Sequence, residues 1–157
     1  MADAAVAFAD LAGFTALTEV HGDEDAADVA ERFYGMAKGC LSGDTRLVKP
    51  IGDAVMLVGH DPDDTLATVL ALAAAVEAKP DFPGLRAGVH FGPVVMRDGD
   101  VFGATVNVAA RVAAHARSSQ TLCTGALCAA LKRSAGRAVA LGEVKLKNVL
   151  QPIELFE

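Results

Sequence analysis

The sequence predicts an α+β fold: a mixed, mostly antiparallel sheet with helices packed on it. Three observations predict it. Short β-rich runs and helical segments follow one another in the order β-α-β-β-α-β over residues 4–91. Neighbouring β-rich runs are separated by short Gly-containing links of the kind that make hairpins. The 157 residues, 52% hydrophobic and 22% charged, have a globular composition and suffice to bury a core without disulfides or a structural metal.

Each element has its own warrant. Residues 4–10 are an apolar run ending in an acid, as expected of a buried strand. Residues 11–14 turn the chain. A helix is predicted over 23–41, because Ala26, Val29, Ala30, Phe33, Met36, Ala37 and Cys40 recur at i, i+3, i+4 spacing and acids crowd the first turn. Gly43 stops it. Residues 45–50 and 54–59 form a hairpin around Ile51-Gly52-Asp53. The cluster Asp61-Pro62-Asp63-Asp64 starts a second helix, which Pro80 and Pro83 end.

Strands over 85–91 and 94–97 are expected on either side of Gly92-Pro93, then a turn at Asp98-Gly99-Asp100. A helix over 104–116, a strand over 121–124, a short helix over 126–133 and a hairpin of 139–147 with 153–156 complete the chain. The first six elements are a ferredoxin-like βαββαβ core and the rest a C-terminal extension. Two helices can cover one face of such a sheet. With no internal repeat, low-complexity linker or composition break, residues 1–157 read as a single domain.

Charge and composition exclude several functions. The net charge is −6, with one Tyr and no Trp, which opposes general nucleic-acid binding and in particular an RNA-binding βαββαβ domain. Residues 1–81 hold 15 acids and 5 bases, and residues 82–157 hold 5 acids and 9 bases. The three cysteines, Cys40, Cys123 and Cys128, lack a CxxC pair and read as small core residues in a reducing cytoplasm. His21, His60, His90 and His115 have no metal-type spacing. The most apolar stretch, residues 66–76, is too short to span a bilayer.

Two groups of residues carry chemistry. Asp10 ends the first strand and Asp53 follows the hairpin glycine. The topology makes these segments neighbours at the sheet centre. Two carboxylates at close range call for cations between them, and a pair of hard cations is the clamp used in phosphoryl and nucleotidyl transfer. Asn107 and Arg111, four apart on a helix, leave the same face and suit a phosphate or ribose-phosphate edge. Gly103 before that helix permits close backbone approach.

Residues 8–15 (FADLAGFT), 49–56 (KPIGDAVM) and 100–111 (DVFGATVNVAAR) together resemble the catalytic domain of class III nucleotidyl cyclases, in its compact bacterial form. The resemblance runs from the first strand to the last hairpin. It implies an adenylyl cyclase that converts ATP to 3′,5′-cyclic AMP and pyrophosphate with two divalent ions, Mg²⁺ or Mn²⁺. Asp10 and Asp53 match the metal aspartates, with the Leu11 carbonyl as a backbone ligand. Lys49 and Asp100 match the pair that reads adenine, whereas guanylyl cyclases usually carry Glu and a small residue there. Ala104, Gly13 and Phe14 fall in substrate-binding segments. Asn107 resembles the ribose-orienting residue and Arg111 the arginine on the α-phosphate.

The resemblance also implies a head-to-tail homodimer, one chain supplying the metal aspartates and the other Lys49, Asp100, Asn107 and Arg111. The alternatives are a catalytically silent nucleotide-binding or dimerisation module and a guanylyl cyclase. The chain departs from the family at Pro50, where Thr or Ser is commoner. The additional phosphate-binding lysine of many animal members is replaced by Val149, or its role is taken by Lys145 or Lys147. The short Asp98-Gly99-Asp100 segment implies a small dimerisation arm and a weak dimer.

Overall fold

The computed structural model describes residues 2–133, 138–147, 149 and 153–157, without the side chains of residues 15–17 and 21. The side chain of His21 therefore lies outside the described residues. The elements are β1 (Ala2–Leu11), α1 (Phe14–His21), α2 (Asp23–Gly39), β2 (Arg46–Ile51), β3 (Ala54–Gly59), α3 (Pro62–Glu77), β4 (Leu85–Arg97), β5 (Asp100–Phe102), α4 (Ala104–His115), β6 (Gln120–Thr124), α5 (Gly125–Ala130), β7 (Ala140–Val144) and β8 (Ile153–Phe156). The sheet runs β2-β3-β1-β4-β6-β8-β7, with β5 paired to the far end of β4. β4 and β6 are parallel, and the other described pairs are antiparallel. The expected α+β architecture is therefore present, with β1 at the centre between β3 and β4.

The period-2 alternation of β1 divides the core. Ala5, Ala7, Ala9 and Leu11 face one side, where they join Phe33 of α2 and Leu66, Val69 and Leu72 of α3. Ala4, Val6 and Phe8 face the other, with Met56, Val58, Val94, Val101 and Ala109 of α4. Helices thus cover both faces, α2 and α3 on one and α4 on the other.

Three local expectations are corrected. Residues 14–21 form a helix where the sequence carries no acidic first turn and no side-chain N-cap. Gly13, at φ 76°, begins it, and packing of Phe14 on the main core holds it in place. Gly92-Pro93 does not turn the chain: β4 is continuous, pairing Gly92 with Ala4 and Pro93 with Asp3. The glycine serves a neighbour instead, since a Cβ there would lie 2.7 Å from the Thr105 hydroxyl, which donates to the Pro93 carbonyl at 2.7 Å. Finally, Asp100 belongs to a strand. Asp98 (φ 53°) and Gly99 (φ 79°) alone make a two-residue hairpin turn with positive φ at both centres.

The cysteines are free, with Cys123 buried and Cys40 and Cys128 packed against the main core. Burial pushes the Cys123 thiol up to about 12, which suits an inert core residue. No described helix is long and apolar enough to cross a membrane.

Candidate active site

The β1–β4 register places Asp10 directly opposite Arg86. Arg86 Nε donates to Asp10 Oδ1 at 2.9 Å and Nη2 to Oδ2 at 3.0 Å, a two-pronged charged contact. With side-chain exposures of 18% for Asp10 and 33% for Arg86, the pair is sheltered enough to matter more than a surface ion pair. The β1–β3 register sets Ala54 opposite Asp10, which brings the preceding Asp53 to the same end of the sheet. The Leu11 N–H donates to the Asp53 carbonyl at 3.4 Å, tying turn to strand.

Burial pushes the Asp53 carboxyl above its ordinary value, the Asp10 charge adds to the rise, and Arg86 opposes it. The Tyr34 hydroxyl of α2 donates to the Gly52 carbonyl in the same turn.

These carboxylates suit a hard divalent cation. They offer only oxygen donors and lie close enough for the Asp10 charge to disfavour that of Asp53. The positive charge they call for is supplied here by Arg86, a guanidinium standing in for a cation. Among the described residues no group of three acidic, His or Cys side chains forms a complete ligand set. Two carboxylates would therefore need backbone or substrate oxygens beside them. Leu11, the expected carbonyl ligand, is the last residue of β1, with its side chain in the core.

A second group lies at the β2–β5 edge. Lys49 Nζ and Asp100 Oδ2 are 2.8 Å apart, and Asp100 Oδ1 accepts from the Val101 N–H at 2.8 Å. The Lys49 contact and then this N–H hold the Asp100 carboxyl below its usual value. Pro50 does not impair the reach of Lys49. It sits on the edge strand β2, which tolerates a missing N–H.

The third group lies on α4. Asn107 and Arg111 line a cavity of about 350 Å³ with Ala110, Lys147 and Val149. Lys147 is thus the lysine of the last hairpin that joins the site, and Val149 forms wall. α4 can sit low on the sheet because Gly88 has no side chain: a Cβ there would lie 2.3 Å from the Ala113 backbone nitrogen. Ala104 is exposed at the first turn of α4, next to β5. Gly13 is exposed and Phe14 packs on the core.

The structure therefore assembles the predicted residues into three separate groups. No hydrogen bond or ion pair among the described residues joins one group to another. Arg86 and Tyr34 were not singled out as site residues by sequence reasoning, and Lys147 was named only as one alternative for the additional phosphate-binding lysine. The signal for Arg86 was an arginine inside an otherwise apolar strand run. Tyr34 is the sole tyrosine of the chain.

Comparison with known proteins gives this arrangement its class. Residues 1–156 match the family described as "Adenylate and Guanylate cyclase catalytic domain". A pH-sensitive adenylate cyclase of Mycobacterium tuberculosis is 49% identical over 117 residues, 74% of this chain and 30% of that protein. An adenylate cyclase of Streptomyces griseus is 37% identical over 129 residues, 82% of this chain and 32% of that protein. Among solved structures, an adenylate cyclase from Trypanosoma brucei in its monomeric state superposes with a TM-score of 0.86 at 18% identity, covering 99% of this chain and 89% of that one. The chain belongs to the class III adenylyl and guanylyl cyclase catalytic domain family, whose members generally use divalent metals and act on nucleotides. It spans about a third of the length of these two curated relatives.

Proposed function

We propose that this domain is an adenylyl cyclase, converting ATP to 3′,5′-cyclic AMP and pyrophosphate at a site shared between two copies of the chain. The observation that carries the choice of substrate is the 2.8 Å Lys49–Asp100 pair. Adenine offers an acceptor at N1 and a donor at N6, so an ammonium beside a carboxylate complements it. Guanine inverts that pattern. The names of the two curated relatives support the same reading.

The remaining roles follow from charge and placement. Asp10 and Asp53, with the Leu11 carbonyl, would hold two divalent ions, Mg²⁺ or Mn²⁺. Such ions, when bound, lower the pKa of the 3′-hydroxyl and neutralise the triphosphate. Arg86, no longer needed to balance Asp10, becomes available to anionic oxygens of the substrate. Arg111 meets the charge that develops on the α-phosphate, Asn107 orients the ribose, and Lys147 adds a cation at the same cavity wall.

Two copies are invoked because the resemblance to class III cyclases implies a head-to-tail dimer, and no hydrogen bond or ion pair among the described residues joins Asp10 or Asp53 to Asn107 or Arg111 within one chain. The buried ridge of α4, Thr105, Ala109, Val112 and Ala113, lies on the sheet, with Asn107 and Arg111 on the flank toward Lys147. Asp10 and Asp53 lie at the β1–β3 end. A head-to-tail dimer would bring the carboxylates of one chain to the arginine of the other, twice.

The test is product formation by the purified chain at high protein concentration with Mg²⁺ or Mn²⁺. Cyclic AMP from ATP, with far less cyclic GMP from GTP, is expected. Nucleotide binding without either product would establish the silent-module reading instead, and predominant cyclic GMP the guanylyl one.

A further inference from the structure

Arg46 and Lys49 are three apart on β2, and regular alternation would put them on opposite faces. A bulge changes that. Leu47 pairs with Leu57 and Lys49 with Met56, so Val48 is an extra residue in the strand. Arg46 is then opposite Val58 and Lys49 opposite Met56. Val58 and Met56 share the face of the sheet that carries Val101 and Ala109. Arg46 and Lys49 consequently reach the same neighbour, the β4–β5 hairpin: Arg46 Nη1 donates to the Gly99 carbonyl at 3.1 Å, and Lys49 Nζ meets Asp100 at 2.8 Å.

We propose that Arg46 is a positioning residue for purine selection, clamping the Asp98-Gly99 turn to β2 so that Lys49 and Asp100 keep one fixed spacing. This deepens the adenylyl cyclase reading and rests on it. Buried Val101 holds the middle of β5 and the half-exposed Lys49–Asp100 pair holds its start, which leaves the Asp98-Gly99 turn itself to be held to β2 by the exposed Arg46 contact. β5 has only three residues. A second, adjacent attachment removes the freedom that would let Asp100 swing away from an incoming base. Discrimination between purines depends on donor and acceptor being held in place before the base arrives. Arg46 also adds to the field that keeps Asp100 charged, after Lys49 and the Val101 N–H.

Arg46→Met keeps the apolar stem and removes the donors, and Arg46→Lys restores one donor. Steady-state kinetics of the full chain with ATP and GTP, together with melting temperature, read the effect. Arg46→Met is expected to raise the KM for ATP about 3- to 10-fold, the range a lost hydrogen bond spans, with kcat changed less than KM. The ATP-to-GTP preference should fall by a similar factor, and Arg46→Lys should recover part of both. An active wild type with unchanged KM and preference in Arg46→Met overturns the role. So does a loss of kcat that tracks a lowered melting temperature without rescue by lysine. A wild type that cyclises no ATP overturns the functional reading and this role with it.

Discussion

Asp10, a metal-ligand candidate, is held by both arms of Arg86, its cross-strand partner, at 2.9 and 3.0 Å. The guanidinium balances two neighbouring carboxylates, so cation binding and this ion pair draw on the same oxygens.

Removing the competitor should therefore separate metal binding from turnover. Arg86→Gln is expected to tighten Mn²⁺ binding without nucleotide by about 3- to 10-fold, and to lower cyclic AMP formation at least ~10-fold through lost contacts to anionic oxygens. Titration calorimetry and the product assay read the two effects. Unchanged Mn²⁺ affinity would show that Arg86 does not stand in for the cation.

Asp53 is costly to the resting fold. Its carboxyl is raised by burial and by Asp10, so the folded state holds the proton more tightly than the unfolded chain. Its contribution to stability is therefore lost as pH rises through the window between the ordinary and the raised value, and is lowest at neutral pH. Asp53→Asn should melt about 2 °C above wild type at pH 7. The gap should shrink as pH falls through that window, while cyclic AMP formation drops by orders of magnitude. Calorimetry in the presence of a chelator checks this. A lower melting temperature at pH 7 would contradict it.

Gly88 sets the height of α4. In Gly88→Ala the new Cβ would meet backbone, at 2.3 Å from the Ala113 nitrogen, and no side-chain rotation relieves it. The helix must lift, at a cost of about 1–3 kcal/mol. Arg111 moves with it, so turnover at a temperature where the variant remains folded should fall at least ~10-fold. Wild-type turnover in a folded Gly88→Ala chain would separate Arg111 placement from this contact.

Much of the candidate site was legible because its residues travel in short motifs. Asp10, Asp53, Asn107 and Arg111 each stand at a fixed offset from a turn or along one helix face, which sequence spacing reports, whereas Lys49 and Asp100 were singled out only by the resemblance to class III cyclases. Arg86 was not legible: its meaning comes from strand register with a residue 76 positions away. The shared face of Arg46 and Lys49 was hidden for a similar reason, since only pairing with β3 reveals the extra residue Val48.

The fold was misread where one residue type serves two purposes. Gly92-Pro93 looks like a turn, but the glycine makes room for Thr105 and the strand continues. Helix α1 was missed because tertiary packing of Phe14, rather than capping chemistry, holds it. The uneven charge along the sequence also finds an outlet inside one chain. Asp10 with Arg86 and Lys49 with Asp100 each join the acidic half to the basic half.

The central claim, ATP cyclisation at a site built from two chains, is tested most directly by mixing two inactive variants. Asp53→Ala lacks a metal carboxylate and Arg111→Ala lacks the phosphate arginine. Random subunit exchange would make half of the dimers mixed, each with one site that keeps every residue, so about a quarter of the wild-type sites return. Recovery of cyclic AMP formation toward that level is the predicted result. No recovery, with exchange demonstrated by labelled chains, would contradict the shared site.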